Sequence, residues 1–172
     1  MTQVFRLDAA AAERELESLA AILADAVDSG ASVGFVAPFS TADAAAWWRA
    51  LLPAVGSGSV PLLGASLDGA LVGTVQLHPA AQANGRHRAE VAKLLVHRSE
   101  RRRGVGRALM AAVEALAREQ GRTLLVLDTQ TGSDAERLYT ELGWAAAGVI
   151  PGYSRLSDGT LAATSYMYKL LR

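Results

Sequence analysis

The stretch Val91–Leu109, VAKLLVHRSERRRGVGRAL, decides how this chain is read. A β-strand runs into the basic segment Arg98–Arg103, glycines follow at 104 and 106, and an amphipathic helix begins. Glycine lets main chain approach a ligand closely, and the first N–H groups of a helix have no partners inside it. Those donors, with the positive end of the helix dipole, suit a pyrophosphate. Arg101 and its neighbours add positive charge around the same spot. The pattern G-x-x-x-x-G-K-[ST] occurs nowhere, and a dinucleotide fingerprint needs a small residue where Leu109 stands. A glycine pair alone also suits a plain strand-to-helix turn beside a solvated basic run. The succession of strand, R-x-x-G-x-G and amphipathic helix favours the phosphate site.

Working outward, Gly104–Gln120 reads as a helix with Val105, Leu109, Ala112, Val113 and Leu116 on one face and Glu114 and Arg118 paired at i, i+4. Thr123–Thr129 is an apolar strand, and Ser133–Glu136 reads as a capping box opening a short helix to about Leu142. Upstream, Ala89–His97 is a strand, and Val60–Leu67 and Ala70–Leu77 form a hairpin about Asp68–Gly69. Thr2–Leu7 is a short strand. Ala10–Val27 is a helix bearing Leu16, Leu19, Leu23 and Val27 on one face, and a second helix runs from about Thr41 to Val55, capped by Ser40 with Asp43. Strands at about Trp144–Tyr153 and Leu161–Leu170 close the chain. The order β-α-α-β-β-β-α-β-α-β-β predicts one α/β domain over residues 1–172, a mixed seven-stranded sheet flanked by about four helices. Only Ala89–Thr129 demands a parallel crossover.

The chain has 172 residues, 51% hydrophobic and 20% charged, which excludes disorder. Lys+Arg and Asp+Glu stand at 17 each, so there is no basic surplus for a nucleic-acid partner. Cysteine is absent, which removes disulfides, thiolate metal sites and a cysteine nucleophile. His78, His87 and His97 lack metal-ligand spacing, and no metal is expected. No apolar run is long enough to span a membrane, and Arg6, Asp8, Glu13 and Arg14 interrupt any signal-peptide core. The expectation is a cytoplasmic protein, monomeric or homodimeric, with neither membrane nor nucleic acid as partner.

The segment Arg101-Arg102-Arg103-Gly104-Val105-Gly106, with the element order, resembles the GNAT superfamily of N-acetyltransferases. Within it the similarity is greatest to the tabtoxin-resistance acetyltransferases, carried by Gly30–Phe35, Arg88–Val91, Lys93-Leu94, Asp128-Thr129, Gly132-Ser133, Pro151–Tyr153 and Asp158-Gly159. The resemblance implies the GNAT fold and acetyl-CoA as cosubstrate. It also implies that the backbone of Leu94, Leu95 and Val96 pairs with the pantetheine arm where two strands splay, and that amides of Arg103, Gly104, Val105, Gly106, Arg107 and Ala108 hold the pyrophosphate. The asparagine that many members carry seven residues before the helix tyrosine is Gly132 here.

Acetyl transfer to an amine needs a base, an oxyanion donor and an acid for the departing thiolate. Tyr139 matches the family's general-acid position; spacing alone leaves it a packed core tyrosine. Two carboxylates compete as base. Glu90 stands where some members carry theirs, and resemblance to the tabtoxin-resistance enzymes points to Asp128. Either residue can instead attract a cationic amine. One of Trp47 and Trp48 is expected in the core and the other beside Val33–Phe39 in an acceptor pocket. The expected activity is acetyl transfer to a primary amine of a small molecule, an amino-acid-like metabolite or an antibiotic, by direct attack in a ternary complex. A protein or peptide acetyltransferase and a silent CoA-binding module are the alternatives.

Overall fold

The computed structural model describes residues 1–171. One sheet of seven strands runs in the spatial order β1-β2-β3-β4-β5-β7-β6. Its strands are β1 Gln3–Leu7, β2 Leu62–Leu67, β3 Ala70–Pro79, β4 Arg88–Val96, β5 Leu124–Gln130, β6 Ala145–Arg155 and β7 Leu161–Leu170. The helices are α1 Ala9–Arg14, α2 Leu16–Asp28, α3 Thr41–Gly56, α4 Val105–Glu119 and α5 Asp134–Glu141. As the connections require, β4–β5 is the parallel pair and the others are antiparallel. The mixed α/β architecture expected from the element order is present.

Five helices stand where about four were expected, because the first is interrupted at Glu15 (φ −92°, ψ 12°). The interruption lacks a glycine or proline to announce it. The apolar face is nonetheless the one read from the periodicity: Leu16, Leu19, Leu23 and Val27 are all buried. Ser40 and Asp43 form a reciprocal capping box on α3. At α5 the box is half realised. The Ser133 hydroxyl accepts from the Glu136 amide, but the Glu136 carboxylate reaches one residue further back, to the Gly132 amide. Asp68 and Gly69 both take positive φ, as the tight hairpin requires.

Two cores flank the sheet. Between α4, α5 and the sheet lie Leu109, Met110, Val113, Leu125, Leu127 and Trp144; between α1–α3 and the sheet lie Leu19, Leu23, Trp48 and Leu62. Strand alternation sends Leu125 and Leu127 of β5 into the first core and turns Asp128 the other way. The Glu114–Arg118 pair read from the sequence is present but is the weaker part of what Glu114 does. Glu114 is buried, with Lys169 Nζ 2.8 Å from both its oxygens and Trp144 Nε1 at 3.1 Å, and Arg118 stands off at 3.9 Å. Among the described residues, no helix is long and apolar enough to cross a membrane.

Candidate active site

The site begins where the sheet comes apart. Glu90 with Val126 is the last rung between β4 and β5. Beyond it β5 stays on β7 as far as Gln130, while β4 stays on β3 as far as Val96. Leu94, Leu95 and Val96 therefore border a gap rather than a neighbouring strand. The register on β3 jumps from Gln76 opposite Ala92 to Thr74 opposite Leu95, a bulge that places Lys93 at φ 51°. The carbonyl of Val96 accepts from Arg101 Nε at 3.1 Å, so that acceptor is already engaged.

At the gap's far end, Gly104 caps α4 at φ 82° with no side-chain cap. The amides of Arg103, Gly104, Val105, Gly106 and Arg107 have no acceptor among the described residues, whereas Ala108 already donates to the Gly104 carbonyl at 3.0 Å. That takes Ala108 out of the expected donor set. A Cβ on Gly104 would meet open space, so this glycine is required by its left-handed φ. A Cβ on Gly106 would lie 3.3 Å from Leu138 Cδ2, so here close approach is the constraint.

The arginines are not the free positive halo expected from the sequence. Arg98 binds Asp25 and Asp28, and Arg101 binds the Ser29 hydroxyl at 2.9 Å with Asp25 at 3.6 Å. Arg102 pairs with Asp134, Arg103 with Glu100 and Arg107 with Glu141. Arg98, Arg101, Arg102 and Arg107 join neighbouring elements and Arg103 pairs within its own segment, which leaves the main chain as the principal donor to an anion.

On the other side of the gap, register brings titratable groups onto one sheet face. Glu90 stands opposite His78, and Asp128 opposite Tyr166. Partial burial and the charge of Asp128 raise the Glu90 carboxyl, against the opposing pull of Lys93. Burial and Lys93 lower His78, whose Nε2 lies 2.9 Å from Gln76 Oε1. Tyr166 is pushed up to about 12, first by its 2.7 Å hydrogen bond with the Tyr153 hydroxyl. Tyr139, on α5, is 7% exposed and packs against Trp144; burial, then Asp128, raises its phenol far above the usual value. Glu90, Asp128 and Tyr139 thus share one electrostatic neighbourhood through Asp128.

Between the loop after α2 and the end of β6, a cavity of about 480 Å³ is lined by Ser32, Gly34, Phe35, Val36, Phe39, Ser154 and Arg155. The loop forming one wall is tied to the β6–β7 end by Ser32 Oγ to Ser154 Oγ at 3.0 Å and by the Ala37 amide to Ser157 Oγ at 2.9 Å. The tryptophans divide as expected. Trp48 is wholly buried with Nε1 on the Leu19 carbonyl, and Trp47 meets Phe35 edge-on at 5.6 Å. Lys93 and Tyr153 entered the sequence reading only as carriers of the family resemblance and His78 only as a non-ligand, and Tyr166 was not singled out. A lysine inside the apolar run Val91–Val96 was the available signal for the first.

The sequence matches the model of the acetyltransferase (GNAT) family over residues 16–144. The chain belongs to that family. Among solved structures it is similar to Salmonella typhimurium yncA with its cofactor acetyl-CoA, at TM-score 0.79 and 20% identity over 100% of this chain and 95% of that one. It is also similar to ribosomal-protein-alanine N-acetyltransferase from Brucella melitensis, at 0.79 and 23% over 98% and 99% of the two chains. A protein proposed to be a phosphinothricin N-acetyltransferase matches at 0.80 and 20% over 100% and 99%. The GNAT fold therefore extends over essentially the whole chain.

Proposed function

We propose that this protein transfers the acetyl group of acetyl-CoA to a primary amine of a small molecule by direct attack in a ternary complex, as a cytoplasmic monomer or homodimer. The carrying observation is the parting of β4 and β5 beyond Glu90, with free amides at one end of the gap and paired carboxylates beside the other. Acetyl-CoA supplies the acetyl group and a thiolate leaving group. The backbone of Leu94 and Leu95 borders the gap that would take the pantetheine arm, and the amides of Arg103–Arg107 would take the pyrophosphate.

In this reading Asp128, or a water it holds, removes the proton from the substrate ammonium, and Glu90 draws the cation into place. The free amine forms the new C–N bond as the C–S bond breaks, and Tyr139 donates toward the departing sulfur. Burial makes the full transfer of that proton costlier than free pKa values of ~10 and ~8.5 suggest. Tyr139 accordingly acts first as a hydrogen-bond donor that stabilises developing charge.

The tie between the loop after α2 and the β6–β7 end supports a small acceptor over a peptide, which needs an open groove. Likeness to the tabtoxin-resistance enzymes and the phosphinothricin-type neighbour accord with an amino-acid-like acceptor, with antibiotic resistance as one physiological form. Following thiol release from acetyl-CoA with amines and with peptides tests this. Release with small primary amines is expected. Release with peptides alone would select the protein acetyltransferase, and binding of acetyl-CoA without release in any mixture would select a silent module.

A further inference from the structure

The chain has two lysines, and the fold treats them in opposite ways. Lys169 is held by Glu114 through both carboxylate oxygens and by the Leu142 carbonyl at 2.7 Å. The Lys93 side chain, partly buried, makes no hydrogen bond or ion pair among the described residues, and Glu90 and Asp128 act on it only through space. Its backbone is left-handed at φ 51°, a conformation that a non-glycine residue keeps only where the surroundings enforce it. The bulge directs the side chain toward Gly34, whose added Cβ would lie 3.7 Å from Nζ, and sets the ammonium 5.8 Å from the Phe35 centroid and 5.6 Å from that of Trp47. Gly34 and Phe35 both line the cavity. Arg155 is the other cation there; it is exposed and already donates to the Gly159 carbonyl.

An unpartnered ammonium with aromatic neighbours retains donors for an anion. Glu90 and Asp128 on the adjoining sheet face attract a cation. We propose that Lys93 binds an acidic group on the acceptor and so selects amines that also carry a carboxylate, α-amino acids and their analogues, with the side chain against Phe35 and Trp47. This rests on the transferase reading above and specifies its substrate.

The test compares kcat/KM for α-amino acids and for their carboxamides, with thiol release as readout, in the parent protein, Lys93→Met and Lys93→Arg. The acid-to-amide ratio should fall about 10–100-fold in Lys93→Met, the range of a charge-assisted hydrogen bond, and largely return in Lys93→Arg. Taking the change in ratio between variants cancels the different basicities of the two amines. A ratio unchanged in Lys93→Met overturns the proposal, because a merely structural lysine would depress both substrates together. On the parent protein, 3-phenylpropanoate should compete with the acceptor far better than 3-phenylpropanamide. Equal inhibition by the two also overturns the proposal, even where Lys93→Met fails to fold. Thiol release that no amine increases would defeat the transferase reading itself, and this inference with it.

Discussion

Glu90 occupies the last rung that joins β4 to β5, and Asp128 lies two residues beyond that rung on the strand that leaves. Both face the same side of the sheet, and burial, with the charge of Asp128 added, raises both Glu90 and Tyr139. With Asp128 as base, Asp128→Asn should remove the acidic limb from the pH profile of the chemical step. Glu90→Gln should chiefly raise the acceptor's KM, since it removes attraction for a cation and leaves proton transfer in place. If the two outcomes exchange, Glu90 is the base. An acidic limb surviving in both variants would eliminate both residues from that role.

The raised Glu90 carboxyl also makes a thermodynamic prediction. A carboxyl raised in the folded state binds protons more readily there than in the unfolded chain, so its contribution to stability declines as pH rises through the folded pKa. Glu90→Gln should therefore be at least as stable as the parent near pH ~7, and any advantage should shrink toward pH ~4. Thermal melts across that window check it. A variant that is less stable by the same margin at every pH would contradict the assignment.

Tyr139→Phe separates chemistry from packing. The hydroxyl makes no hydrogen bond among the described residues, so its removal should leave the melting temperature unchanged or slightly raised. Turnover should fall about 10²–10⁴-fold with acetyl-CoA affinity retained. Unchanged turnover, measured where chemistry limits the rate, would reduce Tyr139 to a packing residue.

The two glycines of the cradle should fail for different reasons. Gly106→Val must displace Leu138 and crowd the free amides, and calorimetry should find acetyl-CoA binding weakened in a folded protein. Gly104 is limited by φ, so Gly104→Asn should be tolerated better than Gly104→Val, because asparagine enters the left-handed region more readily. Equal affinities in Gly106→Val and the parent would remove the pyrophosphate assignment. Arg101→Ala should lower stability more than affinity, because that side chain holds the Val96 carbonyl and Ser29.

The Glu114–Lys169 pair ties α4 to β7. Glu114→Ala leaves the partly exposed Lys169 ammonium with only the Leu142 carbonyl and should destabilise by less than the ~3–5 kcal/mol of a fully buried pair, read by denaturant unfolding. Replacing both, with Lys169→Met added, should recover much of that loss. A double variant no better than the single would indicate that packing, not charge, is what Glu114 supplies.

Element order, the parallel crossover, the hairpin at Asp68–Gly69 and the glycine cradle were legible in the sequence, because each depends on contacts within a few residues or on periodicity along one element. The break at Glu15 was not, since no local residue marks it. The arginines were readable as a cluster but not as a set of ion pairs, because Asp25, Asp28, Asp134 and Glu141 are remote in the chain and only α2 and α5 bring them near. Glu114 was readable as the partner of Arg118 one helical turn away, but not as the partner of Lys169, which only β7 brings against it. The same holds for the site. Sequence and family resemblance nominated Glu90, Asp128 and Tyr139 one by one. Only the register of β3, β4, β5 and β7 put the two carboxylates on one face with His78 and Tyr166, and only the bulge in β4 turned Lys93 toward Phe35 and Trp47. Side-chain identity sets which charges exist, whereas their desolvation and mutual distances, which set their chemistry, arise from strands that meet only in the folded sheet.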